Sequence, residues 1–127
     1  MNVQINYNSS LSKKNLTNKV FFVDESLNIQ SLKKLISPKE YLYVSDLLKN
    51  KNNKKKVSLF EFSSKQSIIL IKLKKNIKNY KIENLGGDFF NFIKGLNKKE
   101  FTINSENISF KLKYLIGLFL HGVKLKS

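Results

Sequence analysis

Val3, Ile5 and Tyr7 alternate with polar neighbours over residues 2–7, and this period of two predicts a strand with one buried face. Residues 9–17 are polar and rich in Asn, Ser and Lys. Within residues 19–24 the run Val20, Phe21, Phe22, Val23 then leaves no polar side, which predicts a second strand, buried on both faces and central in its sheet. From 27 to 36 the apolar residues Leu27, Ile29, Leu32, Leu35 and Ile36 fit neither period, so that stretch reads as irregular. Ser37-Pro38-Lys39-Glu40 is a helix start: Ser37 can cap, Pro38 loses nothing by lacking an N–H, and Glu40 can reach back in a capping box. That helix extends to about residue 50 with Tyr41, Val44, Leu47 and Leu48 turned inward.

Residues 57–62 and 67–73 carry two further apolar runs separated by a short polar link through Ser63, Ser64 and Lys65, the signature of an antiparallel hairpin. Ile82, Leu85, Phe89, Phe92, Ile93 and Leu96 recur at three and four residues, which predicts an amphipathic helix over 81–96. A short strand follows at 100–104. Ser105 is placed to cap a last helix, with Glu106 and Asn107 in its first turn. The order strand, strand, helix, hairpin, helix, strand, helix implies one α/β domain over residues 1–127, a mixed β-sheet flanked by helices. No repeat at a fixed period is present.

The last helix carries two apolar stripes, Ile108, Leu112, Leu115, Ile116, Phe119 and Leu120 on one side and Phe110, Tyr114 and Leu118 on another. An arc that wide exceeds what packing on one sheet requires. The expectation is that the flank around Leu115 and Phe119 docks against another body.

Composition narrows the chemistry. There is no Cys, which excludes disulfides, thiolate metal sites and cysteine nucleophiles, and one His, His121. The nine carboxylates are scattered, and the one close pair, Asp24-Glu25, is adjacent along the chain, so its side chains diverge. No metal site is expected. His121 has no acidic or Ser neighbour within helical reach and reads as a residue meeting free carbonyls at a helix C-terminus. No apolar stretch approaches the roughly 20 residues of a spanning helix, and the first residues hold no signal-peptide core, so a cytoplasmic protein is expected.

The net charge of +15 would ordinarily point to nucleic acid or an anionic surface. All 24 basic residues, however, are Lys; Asn occurs sixteen times, Arg and Ala never, a bias that A- and T-rich codons explain. Five Lys fall within residues 49–56 (KNKNNKKK) and five within 72–81 (KLKKNIKNYK). Without Arg, and with Tyr80 as the one aromatic among them, these runs read as solvated connections rather than a phosphate-tracking patch.

Gly86-Gly87 poses a choice. Paired glycines can open a phosphate-cradling loop at a helix N-terminus, but Ile82 and Leu85 continue the Phe89/Ile93 stripe and so place both glycines inside the helix. Close backbone packing is then the compensation for a cost of about 1 kcal/mol each. Gly117 reads as a point where a neighbouring element approaches, and Gly122 as a left-handed C-cap.

The segment ENLGGDFFNFIKGL, followed by a short strand and an apolar helix ending HGVKLKS, resembles the N-terminal domain of the cytosol (leucyl) aminopeptidase family. Members carry a Leu-Gly-Gly-type helix, matched by Leu85, Gly86 and Gly87, and a later Gly-x-x-Leu-x-Ser segment, matched by Gly122, Leu125 and Ser127. The resemblance implies a macro-domain-like α/β fold that is not itself catalytic, a cytoplasmic hexamer, and a following catalytic domain of the same polypeptide that releases N-terminal amino acids from peptides. There a Lys, three Asp and a Glu hold two divalent metals, zinc or manganese, and an Asn-Thr-Asp-Ala-Glu-Gly-Arg segment supplies part of the site. None of these lies in this chain, so no catalytic, cofactor-binding or metal residue transfers to it. Ending directly past the apolar helix looks like a domain cut. The alternatives are a macro-like module holding an ADP-ribose-type nucleotide, with Gly86, Gly87 and nearby Lys on the phosphates, and a Lys-driven nucleic-acid binder.

Overall fold

A computed structural model describes residues 3–8, 18–50, 55–109 and 113–127. Strands β1 (Gln4–Asn8), β2 (Asn18–Val23), β3 (Val57–Ser63), β4 (Gln66–Lys72) and β5 (Glu100–Asn104) form one sheet in the order β1-β5-β2-β4-β3. Four of them run parallel, and β3 alone is antiparallel, returning into β4 across Ser64 and Lys65. The helices are α1 (Pro38–Asn50), α2 (Asn79–Lys94) and α3 (Tyr114–Lys126).

β2 is the middle strand and all six of its residues are buried, as its unbroken apolar run requires. Side chains alternate across it. Val20 and Phe22 join Ile69, Ile71, Phe101 and Ile103 beneath α2 and α3, whereas Phe21 and Val23 join Phe60, Ile68 and Leu70 beneath α1. The result is a mixed sheet between helical layers, the α/β class expected from the element order. At the amino end of β2, Asn18 donates from Nδ2 to the Glu100 carbonyl at 2.8 Å and accepts from Ser67 Oγ at 2.7 Å, tying β5, β2 and β4 together.

The irregular stretch before α1 contains a 3-10 turn at Gln30–Leu32, with Ile29, Leu32 and Ile36 buried. Ile29, Leu32 and Leu35 sit three apart, the eclipsing period of that tighter helix, which is why neither the strand nor the α-helix period fits. Both hydrogen bonds of the expected capping box form: Glu40 N–H donates to Ser37 Oγ at 3.1 Å, and Ser37 N–H to Glu40 Oε1 at 2.8 Å. The same carboxylate is buried and also meets Lys19 Nζ at 3.2 Å and Gln66 Nε2 at 3.0 Å.

The end of the chain departs from expectation in four respects. α3 begins at Tyr114, so Ser105 caps no helix; it is fully buried after β5, with Oγ 2.6 Å from the Tyr7 hydroxyl. Gly122 is inside α3, which continues to Lys126, and no glycine has a positive φ, so there is no left-handed cap there. Gly117 faces open space: among the described residues, no atom beyond its own stretch of helix lies within 4 Å of an added Cβ. Finally, Leu115 and Phe119 are 4% and 1% exposed, covered by the domain's own core: the Phe119 ring meets Phe22 edge-on at 5.0 Å and Phe89 at 5.4 Å. The proposed docking flank is therefore sealed. The second stripe is the one that stays open, with Tyr114 62% exposed and Leu118 half-buried; Phe110 and Leu112 lie outside the described residues.

Candidate functional site

Chain direction fixes where a site can form. β2 leads to the 3-10 turn and α1 on one face of the sheet, whereas its neighbours β4 and β5 lead to α2 and α3 on the other. Connections that leave adjacent parallel strands toward opposite faces open a crevice at the strands' carboxyl ends, the usual place for a ligand in an open α/β sheet. A cleft of about 810 Å³ lies there.

Three connections build it: residues 24–31 after β2, 73–77 after β4, and 107–109 after β5, closed on one side by Tyr114 and Leu115 of α3. Its floor is apolar, made by Phe22, Val23, Leu73 and Leu115, with Ile77 and Ile108 on the walls. The rim is polar and held by defined contacts. Asp24 Oδ1 accepts from Ser26 Oγ at 2.7 Å and from Asn28 N–H at 3.2 Å, folding the first loop on itself. The Ser26 hydroxyl, against a smaller opposing effect of burial, holds the Asp24 carboxyl below its usual range, with backbone N–H groups adding to the effect. Glu25 Oε1 accepts from Lys75 N–H at 2.8 Å, which joins the first loop to the second. Asn107 Nδ2 donates to the Phe22 carbonyl at 2.8 Å, which anchors the third loop to the end of β2.

Two of these loops have left-handed backbone at non-glycine residues, Leu27 with φ 57° and Asn76 with φ 59°. Asn tolerates this conformation readily; Leu does not, so its neighbours must hold it. The Leu27 N–H bond to the Asp24 carbonyl, at 3.1 Å, is one such restraint. Two buried amide atoms near the third loop, Asn104 Nδ2 and Asn107 Oδ1, have no hydrogen-bond partner among the described residues.

The sequence candidates distribute as follows. Asp24 and Glu25 diverge as adjacency requires, each serving a different loop contact, and among the described residues no three His, Cys, Asp or Glu side chains converge. Gly86 and Gly87 are within α2 and do not line the cleft, so they serve the close packing that their place in the apolar stripe predicts rather than a phosphate cradle. A Cβ on Gly86 would fall 2.0 Å from the Phe119 carbonyl oxygen, and one on Gly122 1.9 Å from that of Glu83. The two helices meet backbone to backbone. His121, not at a helix end, contacts Glu83 Oε2 of α2 through Nδ1 across the same seam; a partner so distant in sequence was invisible to a search within helical reach.

Of the first Lys run, residues 51–54 lie outside the described residues, and Lys56 pairs loosely with Asp88 at 3.8 Å. The second run divides: Lys74 and Lys75 line the cleft, while Lys78 and Lys81 lie exposed where α2 begins. Asn107, Glu25 and Ser31 were not foreseen as site residues. Their common signal is position, just past the end of a parallel strand, and it becomes readable only once strand order is known. No described helix is long and apolar enough to cross a membrane.

Comparison with known proteins yields no match, whether to family models, to curated proteins or to solved structures.

Proposed function

We propose that this chain is the amino-terminal, non-catalytic domain of a metal-dependent leucyl aminopeptidase, acting in hexamer assembly and in access to the active site of a following catalytic domain. One observation carries the reading. The two segments that bear the resemblance, Leu85-Gly86-Gly87 and the Gly122 segment, lie 35 residues apart in sequence yet meet in a single seam, where each helix's glycine admits the other's carbonyl. Motifs matched separately thus serve one packing device, which favours a shared domain over two chance matches. The mixed sheet between helices is also the class that the resemblance implies.

In this reading the surface offered to the catalytic body is the outward side of α3 at Leu118 and Leu125, seven residues apart, rather than Leu115 and Phe119. In this reading both metals belong to the catalytic domain, and no chemical step runs through this chain.

The test has two parts. The purified chain, supplied with manganese or zinc, should not hydrolyse leucyl amide substrates, and clear turnover refutes the non-catalytic role. The reading frame should continue past Ser127 into a segment with the Lys, Asp and Glu metal ligands; a stop codon or an unrelated domain there refutes the parent enzyme.

A further inference from the structure

The cleft at the carboxyl ends of β2, β4 and β5 is not used by the peptidase reading, and it has the attributes of a ligand site in its own right. Its volume of about 810 Å³ is within the range of small-molecule pockets, and it combines an apolar floor with a few polar groups from separate loops.

Its charges are unequally committed. Both carboxylates are occupied by the protein itself: Asp24 by Ser26 and Asn28, Glu25 by the Lys75 N–H. The ammonium groups of Lys74 and Lys75 make no such hydrogen bond and, like the two carboxylates, belong to no ion pair among the described residues. Both lysines are exposed at the rim, in the field of a chain whose net charge is +15. Four formal charges sum to zero at the cleft, but the carboxylates spend accepting capacity on the loops while the ammonium groups keep their donors, and the chain around them is strongly positive, which favours an entering anion.

In the same lining, Tyr114 is 62% exposed at the start of α3, and its ring takes part in no ring–ring contact among the described residues. An exposed aromatic face above an apolar floor suits a planar group, which stacks on the ring while shedding water. Lysines and an exposed aromatic ring in one lining describe a ligand with two parts, an anionic group and a planar one.

We propose that this cleft binds a nucleoside phosphate, the phosphate held by Lys74 and Lys75 and the base laid against Tyr114 over Phe22 and Leu115. The inference does not depend on the peptidase reading: either can fail without the other. The glycines Gly86 and Gly87 have no part in it.

Titration calorimetry of the whole chain with ADP, adenosine and inorganic phosphate tests the site. ADP should bind saturably at one site with Kd below about 1 mM, and adenosine and phosphate alone each about tenfold or more weaker, because each retains one half of the contacts. The variant K74E/K75E should weaken ADP by about tenfold or more while leaving adenosine nearly unchanged, and Tyr114→Ala should weaken both ADP and adenosine. Both substitutions fall at exposed positions, and unchanged circular-dichroism melts establish that the fold is intact. Absence of saturable ADP binding overturns the proposal. So does binding that Tyr114→Ala leaves unchanged and that vanishes with added salt, since that pattern is attraction of any polyanion to a lysine-rich surface.

Discussion

Replacing Gly122 by Ala isolates the seam between α2 and α3. The new Cβ would fall 1.9 Å from the Glu83 carbonyl oxygen, 2.7 Å from its carbon and 2.9 Å from its Cα, all backbone atoms of the opposing helix. No rotamer change relieves such a clash; the helices must separate, and α3 must lift from Phe22 and Phe89, against which Phe119 is packed. Overpacking that side chains can absorb costs about 1–3 kcal/mol, so a clash that moves backbone costs about 3 kcal/mol or more. At roughly 4 °C per kcal/mol for a chain of this length, the Tm should fall by about 12 °C or more. Gly117→Ala is the control on the same helix. No atom of the described residues beyond its own stretch of helix lies within 4 Å of its Cβ, so the gain in helix propensity of about 0.5–1 kcal/mol should raise Tm by about 2–4 °C. Thermal melts by circular dichroism, with urea titrations for the free energies, measure both. If Gly122→Ala melts within about 2 °C of the parent, the backbone contact is not there.

Two further substitutions test the start of α1. Ser37→Ala removes the acceptor for the Glu40 N–H and should cost about 1 kcal/mol in a urea titration, whereas Ser37→Asp should retain most of the stability. Glu40→Gln should change the acid limb of the stability profile. Burial pushes the Glu40 carboxyl up, but the Ser37 N–H, the Gln66 amide and Lys19 together outweigh it and hold the group below its ordinary 4.5. A depressed carboxylate contributes stability that is complete above 4.5 and is lost as pH falls through its folded value, so the parent's advantage over Glu40→Gln should shrink below that pH. An advantage that stays constant through the acid range would show that Glu40 is not charged where the linkage requires.

Local features of the fold were legible because their causes are local. The Ser37–Glu40 box needs three residues of spacing, β2 needs one unbroken apolar run, and α2 needs a stripe at three and four residues. Lys19 was not legible as a buried residue. Nothing in its neighbourhood distinguishes it from the other lysines, and the carboxylate that permits its burial is 21 residues away. Gly122 failed for a similar reason: glycine followed by Val and Lys near a chain end looks like a cap, and only the approach of Glu83 from another helix gives it a different use. Leu115 and Phe119 were assigned outward because the apolar arc of α3 was measured against one sheet. α2 covers the same helix from the side, so the arc had two surfaces to fill, with Tyr114 and Leu125 left over. The cleft was illegible in principle, since its three loops are neighbours only through the order β5-β2-β4.

α3 belongs to both the seam and the cleft, and this allows one variant to separate them. Tyr114 precedes Gly122 by eight residues, or about 12 Å of helix rise, and the Cβ clash at Gly122 acts on the half of α3 remote from the cleft. A hinge-like lift at Gly122 therefore costs packing around Phe119 and Val123 while the first turn of α3 keeps its place beside Leu73 and Ile108. Gly122→Ala, studied well below its lowered Tm, should bind ADP within about threefold of the parent, less than 1 kcal/mol, despite a stability loss several times larger. If affinity instead falls in proportion to stability, α3 moves as one rigid body, and the cleft is set by the glycine seam rather than by its own three loops.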